Sequence, residues 1–193
     1  MKSPMEIAQD LATRYYALPP KDLQALASVI EPGREARKGE IILREGEVSR
    51  HLYHVESGLM RQFYYKKGRD VTEAFNSAGG HAICIMSTFL KQPTELMIEA
   101  LEPTVYHRVS IEGLKDLLPM SLPLNYLYLK ILESDLILSQ RKADSWRFET
   151  ARERYERFMR EYPEVARRAS NNHVASYLLM TPQTLSKVRA GLL

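Results

Sequence analysis

The chain has 193 residues, 27 Lys/Arg against 24 Asp/Glu for a net charge of +3, and 45% hydrophobic residues. That is the composition of a globular protein, long enough for one large or two small domains with a real core. It contains no run of 18 uncharged apolar residues, no signal-type N-terminus and only one cysteine, Cys84, which excludes four-cysteine zinc sites, cysteine-ligated iron–sulfur clusters and disulfides within one chain.

A cytoplasmic protein with no membrane partner is therefore expected, with Cys84 packing as a small apolar residue. The charge is unevenly placed. From Arg141 onward there are eleven Lys/Arg and six acids, a local net of +5, which leaves −2 on the rest. A basic terminal module on a faintly acidic body suits a nucleic-acid-binding end.

Helical spacing covers residues 4–17 and 20–30, the second through Leu23, Leu26, Ala27 and Ile30. From Glu31 the pattern changes to short alternating stretches at 40–43, 52–56, 59–65, 71–75, 81–86, 97–101 and 105–109. Turn residues such as Ser57-Gly58, Gly68-Arg69-Asp70, Gly79-Gly80 and Glu102-Pro103 separate them. Short strands at this spacing predict a sandwich, barrel or jelly roll. A short helix is expected at 111–118, broken at Pro119. One long helix then runs from Leu122 to about Trp146, and its apolar residues cover more than one stripe. One stripe can cover the β domain. The other, Leu129, Leu132 and Leu136, would lie in water unless a second copy covers it, so a homodimer is expected. A helix over 149–161 should point Tyr155, Phe158 and Met159 inward.

The last 23 residues hold two short helical patterns. Val174, Ala175 and Leu178 mark the first. Thr181-Pro182 restarts the chain with an N-cap and a first-turn proline, and Leu185, Val188 and Leu192 form the inner stripe of the second. Gln183, Thr184, Lys187 and Arg189 face outward. The segment contains no Asp or Glu, and together these features make a helix-turn-helix. Leu179 occupies the turn position where such motifs usually place Gly, so it must either adopt a left-handed backbone or change the turn.

Lys38 to Glu47, Leu52 to Gly58, Phe89-Leu90, Val174 to Leu178 and Thr181 to Lys187, in this order, make the chain resemble the Crp/Fnr superfamily of transcriptional regulators. The likeness is greatest to its short members without a C-terminal wing. The resemblance implies an α+β chain in three parts: a cyclic-nucleotide-binding-like β jelly roll with flanking helices (1–120), a dimerisation helix (121–146) and a helix-turn-helix (147–193). It implies no enzyme, no catalytic residue, no cofactor and no metal. The implied partners are double-stranded DNA, a second copy of the chain, RNA polymerase for an activator, and an unknown small-molecule effector.

The same resemblance assigns Thr181 and Thr184 to phosphates and Gln183 and Lys187 to base edges, with Ser186 and Arg189 completing the DNA-facing set. The chemistry agrees, since Gln can pair with adenine and Lys with guanine. Pro182 stands where many members hold a charged residue. The arginines of 147–168 and Arg189 are best assigned to phosphate. Cyclic-nucleotide binders of the family carry a Gly-Glu pair for the ribose and an Arg-Ser/Thr pair for the phosphate. Aligned on Phe89, these positions hold Cys84-Ile85 and, nearby, Thr94-Glu95, so cAMP and cGMP are not expected to bind in the usual way. A candidate pocket for another effector comprises Arg61, Tyr64, Cys84, Ile85, Met86, Thr94, Glu95 and Met97.

Two other classes fit parts of the chain. A cupin-like metal-dependent enzyme needs two histidines one residue apart on a strand, plus a carboxylate and a third histidine, all pointing into a barrel. His51 and His54 are three apart, and His81, His107 and His173 stand alone in the sequence. A protein-interaction module with a degenerate helix-turn-helix would fit Leu179 and the sparse charge of the last helix.

Overall fold

The computed structural model describes residues 1–193. Two short helices lead in. Helix α1 (Pro4–Arg14) starts at a capping box, in which the Ser3 hydroxyl accepts from the Glu6 amide and Glu6 reaches back to Ser3. Pro20 opens α2 (Pro20–Ser28). Eight strands follow: β1 (Arg34–Ala36), β2 (Ile41–Leu43), β3 (His51–Ser57), β4 (Leu59–Lys66), β5 (Arg69–Ser77), β6 (His81–Ala82), β7 (Met97–Ala100) and β8 (Thr104–Ser110). They form two four-stranded sheets, ordered β1-β8-β3-β6 and β2-β7-β4-β5, with every pairing antiparallel.

Gly58 makes the β3–β4 reversal at φ +95, and a Cβ there would sit 2.7 Å from the Pro103 carbonyl oxygen. Only glycine meets both conditions. The space between the sheets is filled by Tyr53, Val55, Met60, Cys84, Ile98 and Tyr106.

Two expectations fail here. The stretch 81–86 is a strand only as far as Ala82. Residues Ile85–Leu90 turn into helix α3, which leaves Ile85 and Met86 exposed. β1 was not anticipated at all; three residues cannot display a period of two.

Helix α4 (Ile111–Leu117) passes through a 3-10 turn at Leu118–Met120 into the 27-residue α5 (Leu122–Phe148). Leu124, Leu127 and Ile131 of α5 are buried against α1, α2 and the outer face of the first sheet. Leu129 and Leu136 are exposed at 48% and 71%, and Leu132 is half-buried, so the second stripe has no partner within the chain.

Four helices then pack back onto the outer face of the second sheet: α6 (Ala151–Glu161), α7 (Pro163–Arg168), α8 (Asn171–Tyr177) and α9 (Pro182–Arg189). Their shared core joins Leu59 and Phe75 of the sheet to Phe158, Val165, Val174, Leu178 and Leu185. α7 had no sequence signal beyond Pro163. Met159, expected inward, is 39% exposed, because the inward stripe of α6 runs through Tyr155 and Phe158 alone.

Three histidines meet across the first sheet, where His54 of β3 is the register partner of His81 on β6 and of His107 on β8. His81 Nδ1 lies 3.0 Å from the Tyr15 hydroxyl and its Nε2 3.0 Å from Asp135; His107 Nε2 lies 2.8 Å from Glu56. His81 and His107, expected to stand alone, thus meet at His54, yet each of the three has a different environment. His54 is buried with no partner at Nδ1. Burial pulls its pKa down to about 4; the Asp10 carboxylate opposes this, while His81, His107 and Arg14 add to it. The unfolded chain therefore takes up a proton near pH 6.5 that the folded chain refuses until about pH 4. Stability from this group is complete above pH 6.5 and falls as pH drops toward 4, by about 3 kcal/mol in all. Melting curves of wild type and His54→Leu between pH 7 and 4 should diverge in slope, with the variant losing less.

Candidate nucleic-acid interface

The C-terminal unit is built from its caps inward. Ser170 caps α8 by accepting from the His173 amide at 3.2 Å. Thr181 caps α9 by accepting from the Thr184 amide at 3.1 Å, and the two hydroxyls lie 2.9 Å apart. Between the helices, the Met180 amide donates to Ala175 O at 2.9 Å and the Leu179 amide to Ser176 O at 3.0 Å. That bond pair is a Schellman turn with Leu179 in its left-handed position at φ +52. The end of α9 repeats the motif with Gly191 at φ +70.

Of the two alternatives open for Leu179, the chain takes the strained backbone and keeps the turn. Arg154 of α6 braces it, donating from Nε to the Leu178 carbonyl at 2.9 Å and from Nη1 to the Glu149 carbonyl at 2.7 Å. Nothing in the sequence signals this brace, which spans 24 residues. Replacing Leu179 with Gly should remove about 1 kcal/mol of backbone strain. A melting temperature about 2–4 °C higher is expected. An unchanged or lower value would mean that the half-exposed leucine contributes more by packing than its backbone costs.

Leu185 and Val188 bury the inner face of α9, while Gln183, Ser186, Lys187 and Arg189 are exposed together with Thr181. Thr184 is half-buried. Gln183 and Lys187 lie four residues apart, one helical turn, and so share a side of the helix. Arg189 is partly engaged: its guanidinium donates to Asn171 at 2.6 Å and stands 5.7 Å from the centre of the Tyr155 ring.

The flanking arginines are less free than their number suggests. Arg157 pairs with Glu149 and Glu161, Arg168 with Glu102, Arg152 with Glu156 and Arg167 with Glu164. Arg160 is exposed with no acidic partner. The expectation that the arginines of 147–168 all serve phosphate is thus corrected, because several of them hold helices in place.

The α8 helix is tied to the free edge of β5. Ser176 Oγ accepts from the Thr72 amide at 2.8 Å and donates to the Asp70 carbonyl at 3.1 Å, satisfying two edge groups. Beneath it lies Arg61, 3% exposed, with bonds of 2.6 Å to each Asp70 oxygen and 2.7 Å to Glu99, and its cation 4.0 Å from the Phe63 ring centre. Burial opposes its charge, but the two carboxylates outweigh burial and raise its pKa.

The candidate effector pocket is therefore not assembled as expected. Arg61 points to the outer face of the second sheet, under α8, and Met97 is the register partner of Phe63 there. Cys84 is buried between the sheets, where burial raises its pKa and Gln62 Nε2 lies 3.9 Å from its sulfur. Ile85 and Met86 face outward on α3, and Glu95 is exposed. The Thr94 hydroxyl is used within its own loop, 3.0 Å from Leu96 O and 2.9 Å from Leu96 N. Tyr64 sits half-buried near the end of β4. Alternation along β4 tells that Arg61 and Phe63 share a face, but not which face is covered or by what.

Residues 33–120 match the family described as Cyclic nucleotide-binding domain. No curated protein sequence matches the chain. Among solved structures it is similar to FixK2 of Bradyrhizobium japonicum, with TM-score 0.70 and 22% identity over 83% of each chain. It is also similar to CLP of Xanthomonas campestris, described as a c-di-GMP responsive global regulator, with TM-score 0.69 and 16% identity over 90% of this chain and 91% of that one. The catabolite activator protein of Thermus thermophilus aligns with TM-score 0.57 and 21% identity, covering 95% of this chain and 86% of that one.

Proposed function

From a chain with a cyclic nucleotide-binding domain at residues 33–120 and the fold of Crp/Fnr-type regulators, we propose a homodimeric transcriptional regulator that reads a two-fold-related DNA site. One observation carries this reading. The helix after the turn, α9, buries Leu185 and Val188 and leaves Gln183, Ser186 and Lys187 free in a 23-residue tail without a single acid. Gln183 and Lys187 read base edges; Thr181, Thr184 and Arg189 hold phosphate. The exposed stripe of Leu129, Leu132 and Leu136 is the pairing surface, and a two-fold axis along it sets the two α9 helices one DNA turn apart. Residues 1–120 then act as the sensing part, 121–146 as the pairing helix and 147–193 as the DNA-binding part.

The domain does not answer to cAMP in the way its family description suggests. Position 84 offers a buried thiol, positions 94 and 95 a self-bonded hydroxyl and an exposed carboxylate, and Arg61 is held by two acids on the far face. Millimolar cAMP should leave the melting temperature unchanged within about 1 °C, whereas ligand at a hundred times its Kd would add about 2.7 kcal/mol of stability. A shift of several degrees would overturn this part of the reading.

The test of the whole is selection of sites from a random duplex pool by purified protein at moderate salt. Recovery of a two-fold-symmetric sequence supports it. Failure to enrich any sequence, with and without a metabolite extract, counts against it and favours an interaction module.

A further inference from the structure

We propose that an open cleft between α1, the β5–β6 turn and the middle of α5 is a ligand site for a small organic anion carried on a flat apolar ring. The cleft has a volume of about 520 Å³, which falls within the range of sites that bury small molecules. It deepens the regulatory reading above by naming where an effector acts, and it uses none of residues 84–97.

Two guanidinium groups open into this cleft without a carboxylate partner. Arg14 donates one N–H to the Gly79 carbonyl at 2.5 Å, and its guanidinium also lies beside the Tyr15 side chain. Arg141 is exposed at the cleft rim and has neither an ion pair nor a hydrogen bond. The acids that line the same cleft are already taken. Glu133 lies 2.8 Å from Lys130, and Asp135 lies 3.0 Å from His81 Nε2. Counted over the lining, three cations, Arg14, Lys130 and Arg141, face two carboxylates, Glu133 and Asp135, so the balance is positive, and the two guanidinium groups offer the forked form that suits carboxylate or phosphoryl oxygens.

The rest of the lining selects the other half of the ligand. Tyr15, Phe75 and Tyr162 supply aromatic wall, and the Arg14 guanidinium stands 5.6 Å from the Tyr15 ring centre. Inorganic phosphate would leave these rings wet, and a neutral arene would leave the two cations unanswered; a ring bearing an anion satisfies both. The lining residues of α5, among them Lys130, Ser134, Ile137 and Arg141, lie about a third of a turn from the Leu129–Leu136 stripe, so pairing of two chains along that stripe leaves the cleft open.

The position gives an occupant leverage. Its walls come from the N-terminal helix, the second sheet, the pairing helix and Tyr162 at the end of α6. These are the segments whose relative placement sets α9. A ligand that fits one arrangement better than another shifts the population toward it by its differential affinity.

The experiment is titration calorimetry and thermal melting of the full chain, without DNA, using 1-naphthoate, 1-naphthyl phosphate, neutral 1-naphthol and inorganic phosphate. Saturable one-to-one binding of the two naphthyl anions is expected, at least tenfold tighter than 1-naphthol or inorganic phosphate; the tighter of the two identifies the preferred anion. Arg141→Gln and Arg14→Gln should each weaken it at least tenfold, and Arg160→Gln should leave it unchanged. Arg141 is exposed and unbonded, so its substitution leaves the fold intact and the test stands even if Arg14→Gln unfolds. The proposal is overturned if neither anion binds, if 1-naphthol binds as well, or if Arg141→Gln retains full affinity. Because no DNA is present, failure here and failure of operator selection are read separately.

Discussion

A Gln183→Ala/Lys187→Ala double variant is expected to lose at least about 10³-fold in affinity for a selected operator while keeping its non-specific DNA binding and its melting temperature. The magnitude follows from two base contacts on each of the dimer's two recognition helices, about 4 kcal/mol or more in all at about 1–3 kcal/mol each. The separation of effects follows from burial. Leu185 and Val188 hold α9 to the fold, and neither the Gln183 nor the Lys187 side chain makes a hydrogen bond or ion pair within the chain. Non-specific affinity comes from phosphate contacts, so the slope of log K against log salt should persist. Arg160→Gln is the complement: it should weaken operator and random duplex alike and flatten the salt slope by about two, one for each subunit. Binding titrations to operator and random duplex at three salt concentrations check both. If the double variant loses both kinds of binding equally, Gln183 and Lys187 are phosphate contacts and the base-reading assignment fails.

That side of α9 was legible in the sequence because an eight-residue helix with a capped start and a periodic apolar stripe leaves little choice about which way it faces. The same holds for the long helix, whose two apolar stripes prove to be one buried and one bare, and for the hairpins, where Gly58 fixes a reversal no other residue allows. What the chain could not tell is how distant surfaces meet. Alternation puts Arg61 and Phe63 on one face of β4, but Arg61's partners lie 9 and 38 residues away and the serine that closes over Asp70 lies 106 residues away. The effector assignment erred for a local reason as well: helix α3 starts at Ile85, and one early turn of helix swings Ile85 and Met86 to solvent. The cleft of Arg14 and Arg141 unites the first helix with the fifth, and no spacing rule connects them.

Phe158→Ala should be among the most damaging single substitutions in the chain, costing about 3–5 kcal/mol. Phe158 is 1% exposed, and its ring centre lies 6.2 Å from Phe75 on β5, 5.6 Å from Tyr177 on α8 and 5.7 Å from Tyr162. It is therefore the point at which α6, helices α8 and α9 and the second sheet share one core. A domain stable by about 5–15 kcal/mol cannot lose that much without consequence. A fall in melting temperature of about 10 °C or more is expected. The loss should also be uneven. The clusters between the sheets and beneath α1 and α5 do not include Phe158, so the C-terminal helices should come away first and unfolding should split into two transitions. Far-UV circular dichroism should then register an early loss of helix before the β domain melts. Met159→Ala, one residue on but 39% exposed, is the control and should shift the melting temperature by no more than about 2 °C. A single transition displaced by less than about 3 °C in Phe158→Ala would mean that the joint is loosely packed, and that α8 is held to the sheet by the Ser176 bonds to Thr72 and Asp70 instead.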